Sequence, residues 1–264
     1  MQAVVSLRDQ LDENLKELHL PTVRACYEEV AEQAAREPLS HTEFLLTLLE
    51  RECEVRRQNR TERRLRESRL PLEKSLEAFD LKRLPSQVLH QAKALLDGSF
   101  LDRRENVLAF GNPGSGKTHL LCAVCQQLVR DDRRVLYTTT SILVQDLLLA
   151  KRELVLPRAI KRLSGYDLLM IDDLGYVQQS REEMEVLFTL LADRYERGSV
   201  MITSNLPFSK WESIFKDAMT TAAAIDRLVH HSIILELNLP SYRMEHAKQG
   251  RLSKNQTEAT KREK

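Results

Sequence analysis

The 264-residue chain is poor in several things, and each scarcity excludes something. It holds 4 cysteines, Cys26, Cys53, Cys122 and Cys125, too few and too scattered for a disulfide framework, which points to a reducing cytoplasm. Cys122 and Cys125 form a lone CxxC with no further ligands close by. That spacing reads as one buried helix face before it reads as a zinc site. Aromatic residues make up 5%, little material for stacking unpaired bases. No run approaches the ~20 apolar residues that a membrane-crossing helix needs. The first residues, MQAVVSLRDQLDENLKEL, carry charge on every turn from Arg8 onward and lack the apolar core of a signal peptide. A charge excess of one sign is also missing: 40 Lys+Arg stand against 39 Asp+Glu, and the resulting +1 on its face argues against a nucleic-acid partner.

What is present suffices for a core, since 42% of the residues are hydrophobic and the length fits one large domain, or a domain with an accessory piece. Val4, Leu7, Leu11, Leu15 and Leu18 recur at helical spacing. Ser40 and Glu43 form a capping box ahead of Phe44, Leu45, Leu48 and Leu49. Neither glycine nor proline occurs from there to Leu70, so one long helix is predicted from about Ser40 to Arg69, ended by Pro71. Beyond it strands and helices alternate. The strands are NVLAFG, RVLYTT, DLLMIDD, SVMITSN and SIILEL, which predicts a parallel α/β sheet covered by helices on both faces. The expected division is an all-helical N-terminal domain over 1–72, an α/β domain over 73–245 and a basic, disordered tail over 246–264.

The strongest motif is Gly111-Asn112-Pro113-Gly114-Ser115-Gly116-Lys117-Thr118, which matches GxxxxGK[ST] between a strand and a helix. Its glycines let backbone N–H groups face a phosphate chain at a helix N-terminus. Lys117 would neutralise the β and γ phosphates of ATP, Thr118 would ligate Mg²⁺, and His119 follows as a further nucleotide contact. Four apolar residues then precede Asp172 and Asp173, placing carboxylates at the C-terminal end of a buried strand. Alone these acids would read as a solvated turn. With the phosphate loop upstream, Asp172 reads as the Mg²⁺ partner and Asp173 as the group that polarises the attacking water. Asn205, at the end of the next strand, would help to position that water, although Ser-Asn in isolation is a turn signal.

GNPGSGKT, LLMIDDLG, ITSNLP and AIDRL, in this order and spacing, resemble the AAA+ ATPases of the IstB and DnaC group. The segment LLERECEVRRQNRTERRLRESRLPLEKSLEAFDLKRLP is similar to the IstB pattern of a basic helix running into an LExFDF-like stretch, and the likeness covers about Phe44 to Arg243. IstB proteins are ATP-dependent transposition helpers of certain insertion sequences. This chain has Asp-Asp where many AAA+ proteins have Asp-Glu, as is normal in this group, and FDL where IstB relatives often have FDF. The resemblance implies that Arg227 is an arginine finger reaching a neighbouring subunit's ATP, a role worth 10³–10⁵-fold in well-studied NTPases. Hydrolysis would then need a homo-oligomer. It also implies that Arg243 senses the γ-phosphate and that Phe79 and Leu84 lie near the adenine; because the sequence ends soon after the last strand, the C-terminal lid of most AAA+ proteins is not expected.

Arg56, Arg57, Arg60, Arg63 and Arg64 fall within an arc of about 120° on the long helix at ~100° per residue, and Glu67 shares that arc. Such a stripe meets phosphates without reading sequence. It is equally the solvated face of a charged helix, and the resemblance is what favours duplex DNA. Lys151, Arg152, Arg158, Lys161 and Arg162 form a second candidate, in the insertion that marks the DnaA-like clade. The reading is therefore an ATPase that assembles on duplex DNA and recruits a transposase. Its alternative is a DnaC-like helicase loader, in which the N-terminal helices bind protein. A small-molecule kinase on the same phosphate loop finds no support in Asn205 or Arg227.

Overall fold

The computed structural model describes residues 6–37, 39–175, 180–211, 225–242 and 244, so Arg243 and the expected tail over 246–264 lie outside the described residues. Two compact units emerge, residues 1–63 and 64–264. The division falls inside the long helix, ahead of the expected boundary between residues 72 and 73.

The first unit is helical: α1 (Leu7–Glu17), α2 (Pro21–Arg36) and most of α3 (His41–Ser68). Ser6 caps α1 through the Asp9 N–H at 3.2 Å. Ser40 and Glu43 form the reciprocal pair that starts α3, with bonds of 2.8 and 3.2 Å. Leu15, Val23, Cys26, Val30 and Leu48 make a small core. Helix α2 starts on Pro21, and Leu20 gives it no side-chain cap. Buried Glu52 supplies one from a distance, accepting the Thr22 and Val23 N–H groups at 2.8 and 3.1 Å.

The second unit is built on β1 (Asn106–Gly111), β2 (Val135–Thr139), β3 (Leu168–Leu174), β4 (Ser199–Ser204) and β5 (Ser232–Leu237). All neighbours pair in parallel, in the order β2-β3-β4-β1-β5. The strands alternate between two cores, as the period of 2 requires. Val107 and Ala109 face one core with α4 (Ser86–Leu95), α5 (Ser99–Asp102) and α6 (Lys117–Arg130). Leu108 and Phe110 face the other, with α7 (Thr140–Arg152), α8 (Leu156–Ser164) and α9 (Arg181–Arg194). Cys122 and Cys125 are fully buried in the first core, beside Met170 and Met201. Burial pushes the Cys122 thiol up to about 12, so it is an inert core residue. No helix among the described residues is long and apolar enough to cross a membrane.

Candidate nucleotide site

Strand order gathers the site. Because β4 lies between β1 and β3, the phosphate loop after β1, the acids of β3 and the residue that follows β4 meet at one C-terminal edge. A cleft of about 670 Å³ opens there, lined by the loop from Pro113 to Thr118 and by His119, Tyr137, Asp172, Asp173 and Asn205. The loop requires its glycines. Gly111 has φ +148°, and a Cβ there would stand 2.1 Å from the Leu237 carbonyl oxygen. Gly116 has φ +99° as the N-cap of α6, and no side chain caps the helix's first N–H groups, which are left for a ligand.

Lys117 is buried, and its amine donates to the carbonyls of Gly111 and Asn112 at 2.8 and 2.9 Å and to Asn205 Oδ1 at 2.7 Å. Thr118 Oγ1 donates to Asp172 Oδ1 at 2.8 Å, which places the two expected Mg²⁺ partners side by side. Asp173 follows at φ +60°, where the β3–β4 register shifts between Ile171 and Leu174. This bulge leaves Asp172 buried and turns Asp173 outward. His119 bonds the Ser75 carbonyl at 2.9 Å and meets Phe79 edge-to-face at 5.1 Å. Phe79, Arg83 and Tyr242 also line the cleft, and the Tyr242 N–H bonds the Gly114 carbonyl at 3.0 Å. Leu84 is buried in the first core and is not among the residues that line the cleft.

Two residues that sequence reading passed over complete the acid's surroundings. Tyr137, in the middle of β2, donates to Asp172 Oδ2 at 3.0 Å, and Thr203 donates to Asp172 Oδ1 at 2.5 Å. Thr203 Oγ1 also accepts the Asp173 N–H at 2.9 Å, so one hydroxyl ties both acids. Burial, then the charge of Asp172, pushes the Tyr137 phenol well up, which keeps it a donor. The available signal was a hydroxyl residue on a strand adjacent to β3.

The geometry fits a nucleotide and its cation. Ser115 Oγ is buried in the loop with no hydrogen-bond partner among the described residues, a polar atom that a phosphate oxygen would satisfy. Comparison with known proteins bears on the same point. Residues 13–250 match the model of the IstB-like ATP binding protein family. The chain belongs to that family. An insertion sequence ATP-binding protein of Sinorhizobium fredii is 45% identical over 230 residues, 87% of this chain and 77% of the relative. The relative named for insertion sequence IS21 in Pseudomonas aeruginosa is 38% identical and covers 94% of each chain. Among solved structures, AMPPCP-bound DnaA from Aquifex aeolicus is similar at TM-score 0.54 and 19% identity, over 71% of this chain and 57% of that one. The DnaC helicase loader is similar at TM-score 0.53 and 16% identity, over 62% of this chain and 96% of that one. This IstB-like chain therefore has the AAA+ P-loop fold, with a helical region ahead of it.

The arginines expected at DNA have varied surroundings. Arg56 bonds Glu52 at 2.8 Å and the His19 carbonyl, and Arg57 bonds Glu54 at 3.0 Å. Arg60 and Arg63 are exposed on α3. Arg64 is half-buried on Asp132, with a 2.9 Å ion pair, and so is held to its own unit. Lys151 pairs with Glu185 at 2.9 Å, while Arg152, Arg158, Lys161 and Arg162 are exposed. Arg227 is exposed in the helical segment 225–229 before β5, at the edge of the sheet opposite the cleft.

Proposed function

We propose that this IstB-like protein is an ATP-dependent, DNA-binding regulator of insertion-sequence transposition that hydrolyses ATP. ATP and Mg²⁺ assemble copies of it on duplex DNA with little sequence preference, the assembly bends or marks the target and recruits a transposase, and hydrolysis takes it apart. The observation that carries this reading is the convergence of Lys117, Thr118, Asp172, Asp173 and Asn205 on one cleft, in a chain of this family. The loop N–H groups and Lys117 would hold the phosphates, with Thr118 and Asp172 toward the cation. Bound Mg²⁺ would supply charge neutralisation at the phosphates.

The chain's own residues account for the rest. Lys117 must exchange its bonds to Gly111, Asn112 and Asn205 for phosphate oxygens, which frees the Asn205 amide to orient a water. Asp173, turned outward by the bulge, would accept that water's proton. Arg60 and Arg63 on α3, and the exposed cations of α7 and α8, are the proposed phosphate contacts on DNA.

Electron microscopy on linear duplex DNA tests this. With ATP and Mg²⁺ the protein is expected to form assemblies that are absent without nucleotide, and Lys117→Ala is expected to lose that dependence. No gain in assembly with ATP and Mg²⁺ would overturn the proposal.

A further inference from the structure

At the sheet edge opposite the nucleotide cleft, Glu196, His230 and His231 bring one carboxylate and two imidazoles together. Their ligating atoms all lie within 4.8 Å of one another. We propose that these three side chains bind a divalent transition-metal ion of the zinc type, with water as the fourth ligand. Two nitrogens and one oxygen are a donor set that Zn²⁺ accepts, and three protein ligands plus water is its usual open geometry. Zinc bonds of ~2.0–2.1 Å place tetrahedral ligands about 3.4 Å apart, so the atoms need to close by about 1.4 Å at most. All three side chains are exposed, and rotamer changes supply that closure.

The backbone presenting them is well held. Glu196 stands in the turn between α9 and β4, while His230 and His231 stand in the turn before β5. Adjacent side chains of a strand would point to opposite faces, but in this turn the two imidazole centroids lie 4.2 Å apart. Buried Asn106, at the start of β1 between the two turns, fixes both. Its side chain donates to the Leu228 carbonyl at 3.2 Å and accepts the Val200 N–H at 3.0 Å, and its N–H bonds the His231 carbonyl at 2.7 Å.

A second observation orients one ligand. The Tyr195 hydroxyl lies 3.2 Å from His230 Nδ1, which leaves Nε2 for the ion. Metal-bound histidines characteristically have their other ring nitrogen held by such a partner. A bound ion would cross-link the two turns and restrain the segment 225–229 that carries Arg227. Binding itself does not depend on the proposed nucleotide chemistry.

The test is a titration of the nucleotide-free full chain with Zn²⁺ alone, in competition with a chromogenic chelator. A Cys53→Ser background removes the exposed thiol. One ion per chain is expected, in the micromolar range or tighter. Separate His231→Asn and Glu196→Gln variants should each bind at least ~10-fold more weakly, and Tyr195→Phe should weaken binding through the orientation of His230. Circular dichroism checks that the variants, all at or near the surface, keep the fold, and a Zn²⁺-dependent rise in melting temperature should vanish with His231→Asn. No binding, or binding that both ligand variants leave unchanged (an adventitious ion only), would overturn the site.

Discussion

Three hydroxyls converge on Asp172, from Thr118 at 2.8 Å, Thr203 at 2.5 Å and Tyr137 at 3.0 Å. They come from α6, β4 and β2, so each fixes the carboxylate against a different element. Thr203 has the larger reach because it also holds the Asp173 N–H in an αL conformation that Asp tolerates better than most residues. Thr203→Val keeps the shape and removes both bonds. It is expected to lower ATP hydrolysis by ~10-fold or more and to raise the Mg²⁺ needed for half-maximal rate, while nucleotide binding without Mg²⁺ stays the same. A Mg²⁺ dependence equal to that of the unsubstituted protein would remove Thr203 from the positioning role. Lys117, Thr118 and Asp172 were legible because their motifs are local in sequence. Thr203 and Tyr137 were not, since nothing in ITSN or VLYTT says which side chain faces which acid.

At the scale of elements, start signals were read correctly where the partners are close in sequence. Ser40 and Glu43 make their capping box within one turn of α3. The cap of α2 was illegible because its acceptor, Glu52, lies 30 residues beyond Thr22. Burial raises the Glu52 pKa, but the bonds from Arg56 and from the Val23 and Thr22 N–H groups outweigh it, so the net value falls below the usual 4.5. A depressed folded pKa stabilises above the unfolded value and is lost as pH falls through the folded one. Glu52→Gln is therefore expected to destabilise the helical unit by about 1–3 kcal/mol at pH 7. The gap should narrow below about pH 4.5, as protonation removes the advantage of the carboxylate, and urea unfolding followed by helical circular dichroism at both pH values measures it.

At the scale of the molecule, Arg227 stands at the sheet edge opposite its own cleft. A finger role therefore requires a second copy. Arg227→Ala is expected to bind ATP normally and to hydrolyse it ~10³-fold more slowly. Mixing it with Lys117→Ala should recover part of the rate, because each variant supplies what the other lacks. Normal turnover by Arg227→Ala alone would remove the finger. The +1 balance likewise concerns the whole chain. It averages an arginine-rich stripe on α3 with acids spread elsewhere, so it does not exclude DNA. It predicts weak, salt-sensitive contact by one copy and effective contact by many aligned copies.

By itself the sequence determined the nucleotide-binding motif, the alternation of strands and helices and the family. Each of these rests on short-range spacing: a glycine loop before a helix, apolar runs ended by acids, a long helix ended by proline. Tertiary structure decided what spacing cannot encode. The strand order set β4 between β1 and β3 and so made Asn205 a partner of Lys117, buried Leu84 away from the cleft, and tied Arg64 to Asp132. Those outcomes depend on which surfaces pack when helices cover both faces of a parallel sheet, and residues far apart in the chain meet only there.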